Sequence, residues 1–88
     1  MRILSTNNRR NIIKVRLNEV FREVFDDEEI EVFDEMTAKD IEEWDSLMHI
    51  TLVVAIEKEF SCRFNAAEIA KLENVGSIIT LLEERAGS

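Results

Sequence analysis

The chain has 88 residues, with 19 Asp and Glu against 11 Lys and Arg and a formal net charge of −8. That length suits one small domain, 45% hydrophobic content argues against a disordered chain, and no apolar run approaches the roughly 18 residues needed to cross a bilayer. With no Pro and only two Gly a turn-rich all-β fold is disfavoured, the lone Cys62 excludes an internal disulfide, and the acidic surplus argues against a nucleic-acid partner.

The charge is unevenly placed. Residues 1–18 hold Arg2, Arg9, Arg10, Lys14 and Arg16 and no acid, whereas Asp and Glu dominate residues 26–45. A first helix is predicted over Asn11–Phe25, where Ile13, Leu17, Val20, Phe21 and Val24 recur at three- and four-residue spacing. Between Asp26 and Asp45 that periodicity fails. Ile30, Val32, Phe33, Met36 and Ile41 are scattered among acids, which predicts a long, partly ordered loop with a helical turn near Thr37. The loop has no Gly and no alternating Asp spacing, so it is not an EF-hand.

A second helix is predicted over Ser46–Phe60, with Ser46 as its N-cap. Its apolar residues form two stripes. His49, Leu52, Val53, Ile56 and Phe60 make one; Leu47, Ile50 and Val54 make the other, and a helix in so small a domain does not readily bury both. A short third helix, Ala66–Leu72, opens on a capping box of Asn65 and Glu68. The fourth, Val75–Arg85, follows Asn74 as cap and carries Ile78, Ile79, Leu81 and Leu82. The reading is therefore all-α: a four-helix bundle of three long helices and one short one. It forms a single domain over residues 1–88, with flexible ends at 1–10 and 86–88. No apolar signal core opens the chain, and a cytoplasmic location is expected.

Candidate chemistry is sparse. One His and one Cys cannot build a structural zinc site. His49 follows Ser46 by three residues on one helix without an oxyanion hole in sight, so a hydrolytic triad is not supported and His49 reads as a partly buried helix residue. Cys62 reads as a small loop or core residue. What stands out is Asp45-Ser46-Leu47, placed between a long acidic loop and a helix with a surplus apolar stripe.

The stretch from Trp44 through Phe60, beginning Trp-Asp-Ser-Leu-Met-His-Ile, resembles the signature and second helix of acyl carrier proteins. The likeness runs on through Phe64, the short helix with Ile69 and Leu72, and Val75 to Leu82. The resemblance implies a non-enzymatic carrier. In that family the Ser of Asp-Ser-Leu, here Ser46 flanked by Asp45 and Leu47, receives 4′-phosphopantetheine from coenzyme A through a phosphopantetheinyl transferase. The arm then holds an acyl group as a thioester. Leu47, Ile50, Val54 and Glu57 would dock acyl-transferring, condensing or ligase enzymes with basic surfaces. Val53, Ile56, Phe64, Ile69, Leu72 and Ile79 would shelter the acyl chain. A monomer without stable membrane insertion is implied. Met48, Thr51 and Lys58 stand where fatty-acid carriers often have acids, and Trp44 stands where they have a small residue, which points to a specialised carrier. The alternatives are an aminoacyl or peptidyl carrier, and an unmodified helical interaction domain in which Ser46 is only a cap.

Overall fold

The computed structural model describes residues 5–86. Four helices follow in chain order: α1 (Ser5–Phe25), α2 (Ser46–Phe60), α3 (Ala66–Ala70) and α4 (Val75–Ala86), with no strand among the described residues. The all-α architecture of three long helices and one short one agrees with the periodicity. The bounds differ at several ends. α1 begins at Ser5, ahead of the expected Asn11, and so takes in residues assigned to a flexible end. α3 stops at Ala70, where Lys71 caps it, short of the expected Leu72. Residues 1–4 and 87–88, also expected to be flexible, lie outside the described residues.

α1 packs against both α2 and α4. It buries Ile13, Leu17, Val20, Phe21 and Phe25, which meet Leu52, Val53, Ile56 and Phe60 of α2 and Val75, Ile78, Ile79 and Leu82 of α4 in one core. Both α1 and α2 end in a left-handed residue that is not glycine. Asp26 has φ 51° and Ser61 φ 53°, and the next N–H groups reach back, Asp27 to the Arg22 carbonyl at 3.0 Å and Cys62 to that of Glu57 at 3.1 Å. This is the geometry of a Schellman end, which glycine would adopt without steric cost.

The loop over residues 26–45 is the main departure from the sequence reading. It contains no helix; near Thr37 it makes a single turn, with the Asp40 N–H donating to the Thr37 carbonyl. Yet it is firmly placed. Ile30, Met36, Ile41 and Trp44 are buried in the common core. The Asn18 side chain accepts from the Val32 N–H at 2.7 Å, and the Arg22 guanidinium donates to the Ile30 carbonyl at 2.8 Å. Its carbonyls also serve α4. Those of Asp34 and Met36 accept from the N–H groups of Gly76 and Val75, at 2.8 and 2.9 Å. Asn74 takes the Ser77 N–H at 2.8 Å, so the first turn of α4 has its donors satisfied by the loop and the cap together.

The basic N-terminal half of α1 is largely consumed inside the molecule. Asp34 receives the Arg10 guanidinium and the Lys14 ammonium, each at 2.8 Å, and Arg10 also reaches Glu83 at 2.8 Å. Arg16 pairs with Glu59 at 3.1 Å and lies over the Phe60 ring, 4.4 Å from its centroid. Hydrogen bonds from Arg10 and Lys14 hold the Asp34 carboxyl below its usual range.

Candidate functional site

Asp45, not Ser46, caps α2. Asp45 is extended, with φ −107° and ψ −171°, and its Oδ1 accepts from the Met48 N–H at 2.9 Å. The expectation of Ser46 as cap is thus corrected. Both residues are strong cap formers, and a sequence that places them side by side does not say which backbone turns first. Ser46 is instead the first residue of the helix proper, exposed, with a side chain that makes no hydrogen bond to any described residue. A cap hydroxyl is tied to the backbone of its own helix; this one is available for other chemistry.

The surroundings of Ser46 divide into three parts. On the outer face of α2, Leu47, Ile50 and Val54 are 75%, 53% and 45% exposed. The second apolar stripe is therefore left uncovered, while the first is in the core except for His49, which is half-buried. Next to Ser46 a shallow cleft is lined by Ala38, Trp44, Asp45, Ser46, His49 and Ile50. None of the expected pocket residues lines this cleft: Val53, Ile56, Phe64, Leu72 and Ile79 are buried in the common core and Ile69 is half-buried against it. The structure thus brings the six expected pocket residues into one apolar cluster, where they pack as core side chains.

Glu57 is placed differently from the other expected docking residues. It is half-buried, and its Oε2 accepts from the Phe64 N–H at 2.8 Å, pinning the turn between α2 and α3. Glu59 is likewise engaged by Arg16. The acids left exposed near Ser46 are on the loop: Glu42 and Glu43, with Asp45 beyond them.

Trp44 is the residue whose part in the site sequence reasoning missed. It is only 5% exposed and is packed edge-on against Phe21, centroids 5.4 Å apart, and beside Phe25 at 6.3 Å. Its indole N–H donates to His49 Nδ1 at 3.1 Å, and the two rings stack at 17°. The signal was a large aromatic immediately before Asp-Ser, five residues from the only histidine. Cys62 is half-buried, and burial pushes its thiol up from the ordinary range, which suits an inert core thiol.

The site fits a phosphodiester-linked arm in its donor chemistry. The first N–H groups of a helix lack an intrahelical acceptor; here Asp45 takes that of Met48 and leaves those of Ser46 and Leu47 for an anion at the positive end of the helix dipole. The adjacent Asp45 carboxylate acts in the opposite sense.

Comparison with known proteins agrees with this geometry. The model of the family described as "phosphopantetheine attachment site" matches residues 15–82. The fold is similar to the solution structure of a holo acyl carrier protein from Geobacter metallireducens, with a TM-score of 0.77 and 39% sequence identity, covering 81% of this chain and 82% of that one. No curated protein matches the chain. The chain belongs to the acyl carrier protein family. A carrier of this family has 4′-phosphopantetheine as its prosthetic group, and as a carrier it meets a phosphopantetheinyl transferase and the enzymes it serves. No described helix of this carrier is long and apolar enough to cross a membrane.

Proposed function

We propose that the protein is a cytoplasmic, monomeric, non-enzymatic acyl carrier, one domain throughout, whose Ser46 hydroxyl bears the phosphopantetheine arm. The observation that carries this reading is the division of labour at the start of α2. Asp45 does the capping, and the Ser46 hydroxyl has no hydrogen-bond partner among the described residues. Once attached, the arm supplies a thiol that holds the cargo as a thioester. The chain itself supplies the anion-favouring helix start, the cleft beside it and the exposed stripe Leu47, Ile50, Val54 on which a partner enzyme can seat.

The distribution of charge supports a specialised carrier over one of housekeeping fatty acid synthesis. The outer face of α2 is apolar from Leu47 to Val54, and Thr51 and Lys58 add no acid to it. A basic partner surface would find Glu42, Glu43 and Asp45 on the loop side of Ser46. Polyketide and lipid-modifying enzymes are the partner classes this suits.

The test is intact-protein mass spectrometry after incubation with coenzyme A and a broad-specificity phosphopantetheinyl transferase. The expected result is a gain of one phosphopantetheine, mapped to Ser46 and absent from Ser46→Ala. A folded sample that gains nothing beside a working control carrier and its transferase would refute the assignment.

A further inference from the structure

α3 is the least secured element of the bundle. It has five residues and none of them is buried. It is held by the half-buried Ile69, which packs on the common core, by the ion pair of Glu68 with Arg85, by the buried Leu72 that follows it and by a polar contact that reaches across to α2. That contact runs through His49, whose Nε2 lies 3.4 Å from the Ile69 carbonyl oxygen. The other ring nitrogen, Nδ1, faces the indole N–H of Trp44 at 3.1 Å.

An indole N–H can only donate, so Nδ1 must present its lone pair. The imidazole is then neutral with its proton on Nε2, and that proton points toward the Ile69 carbonyl. The relay is consistent at every step. Trp44, wedged against Phe21 and Phe25 of α1, donates to His49 of α2, and His49 donates to Ile69 of α3. The relay passes one turn of helix from Ser46, and Trp44, His49 and Ser46 line the same cleft.

We propose that Trp44 and His49 form a latch that fastens α3 to the Ser46 end of α2, and that opening of this latch controls local opening of α3. Elements with few buried contacts open locally at low free energy, so removing one of α3's tethers changes α3 before it changes the rest. On the carrier reading, the latch spans the seam between Ser46 and the apolar residues under α3. It therefore also sets how readily a cargo on the arm passes from the cleft to Ile69 and Leu72.

The experiment uses the full chain without the arm. Amide hydrogen exchange is followed by NMR at Ile69, Lys71 and Leu72 and, in the same sample, at Ile79 and Leu82 of α4. Trp44→Phe keeps an aromatic ring and deletes the N–H; His49→Ala deletes the relay. Both should speed α3 exchange about fivefold, as expected for one lost hydrogen bond, with α4 exchange unchanged. Unchanged α3 exchange, or equal acceleration in α3 and α4, would overturn the proposal. Long-range 15N–1H spectra of the His49 ring should show the proton on Nε2; a proton on Nδ1 would also overturn it. With octanoyl-phosphopantetheine loaded, contacts of the octanoyl methylenes with Ile69 and Leu72 methyls should strengthen in both variants. Failure to load would remove the carrier reading and leave the latch, which the unloaded chain tests by itself.

Discussion

Exchanging the roles of Asp45 and Ser46 gives a paired prediction. Asp45→Ala removes a cap that accepts the Met48 N–H at 2.9 Å. The position is exposed, so water partly replaces the lost acceptor, and the expected cost is about 1 kcal/mol, mid-range for cap deletions. For a domain of this size, that corresponds to a fall of about 5 °C in Tm. Ser46→Ala deletes a hydroxyl with no described partner from the first helical position, where Ala is the better helix former by about 0.5 kcal/mol. Its stability should be unchanged or slightly higher. Urea unfolding followed through Trp44, the single tryptophan and buried in the core, measures both changes. A Ser46→Ala loss as large as that of Asp45→Ala would refute the capping argument. Function should divide the opposite way: Asp45→Ala is still loaded with the arm, and Ser46→Ala is not.

Three further outcomes follow from the packing. The Asp34 carboxyl, held below its usual 3.8 by Arg10 and then Lys14, contributes stability above that value and loses it as pH falls through its lower folded value. The gap in urea midpoint between wild type and Asp34→Asn should therefore be open at pH 7 and close in acid, and it should narrow with salt because the pair is partly exposed; a gap that ignores pH would sink this. A Cβ on Gly76 would sit 3.1 Å from the Asp34 carbonyl oxygen, the acceptor of the Gly76 N–H. Gly76→Ala should thus fail to deliver the ~1 kcal/mol that Ala ordinarily gains inside a helix, and a Tm rise of several degrees would contradict it. Ser61→Gly relieves a left-handed serine and should raise Tm by a few degrees; a fall in Tm would count against the strain argument.

Much of this was legible because helical periodicity is a local signal. The stripes of α1 and α2, the capping box of Asn65 and Glu68 and the cap at Asn74 all lie within a few residues of sequence, and the structure repeats them. The exposed stripe of Leu47, Ile50 and Val54 was legible for the same reason, as a surplus one helix could not bury. What escaped depends on distance in the fold. The order of the loop comes from α4, which is distant in sequence, and from Asn18 and Arg22, polar side chains of α1 whose bonds to loop backbone no periodicity specifies. The basic residues of α1 gave no hint of their partners, since Asp34, Glu59 and Glu83 are far along the chain. Glu57 looked like a surface acid because the Phe64 N–H it accepts belongs to a turn whose path no periodicity specifies.

The way residues 26–45 are anchored also has a kinetic consequence. Their holdfasts are side chains of α1 and the opening N–H groups of α4. The bonds from Asn18 and Arg22 are local in sequence, but the Asp34 and Met36 carbonyls meet N–H groups of α4 far along the chain, so this middle part of the loop settles only after the two ends have come together. Substitutions at Asp34 or Met36 should chiefly quicken unfolding and leave the refolding rate nearly untouched. Ala38, two residues beyond Met36, lines the cleft at Ser46, so that cleft is completed late in folding.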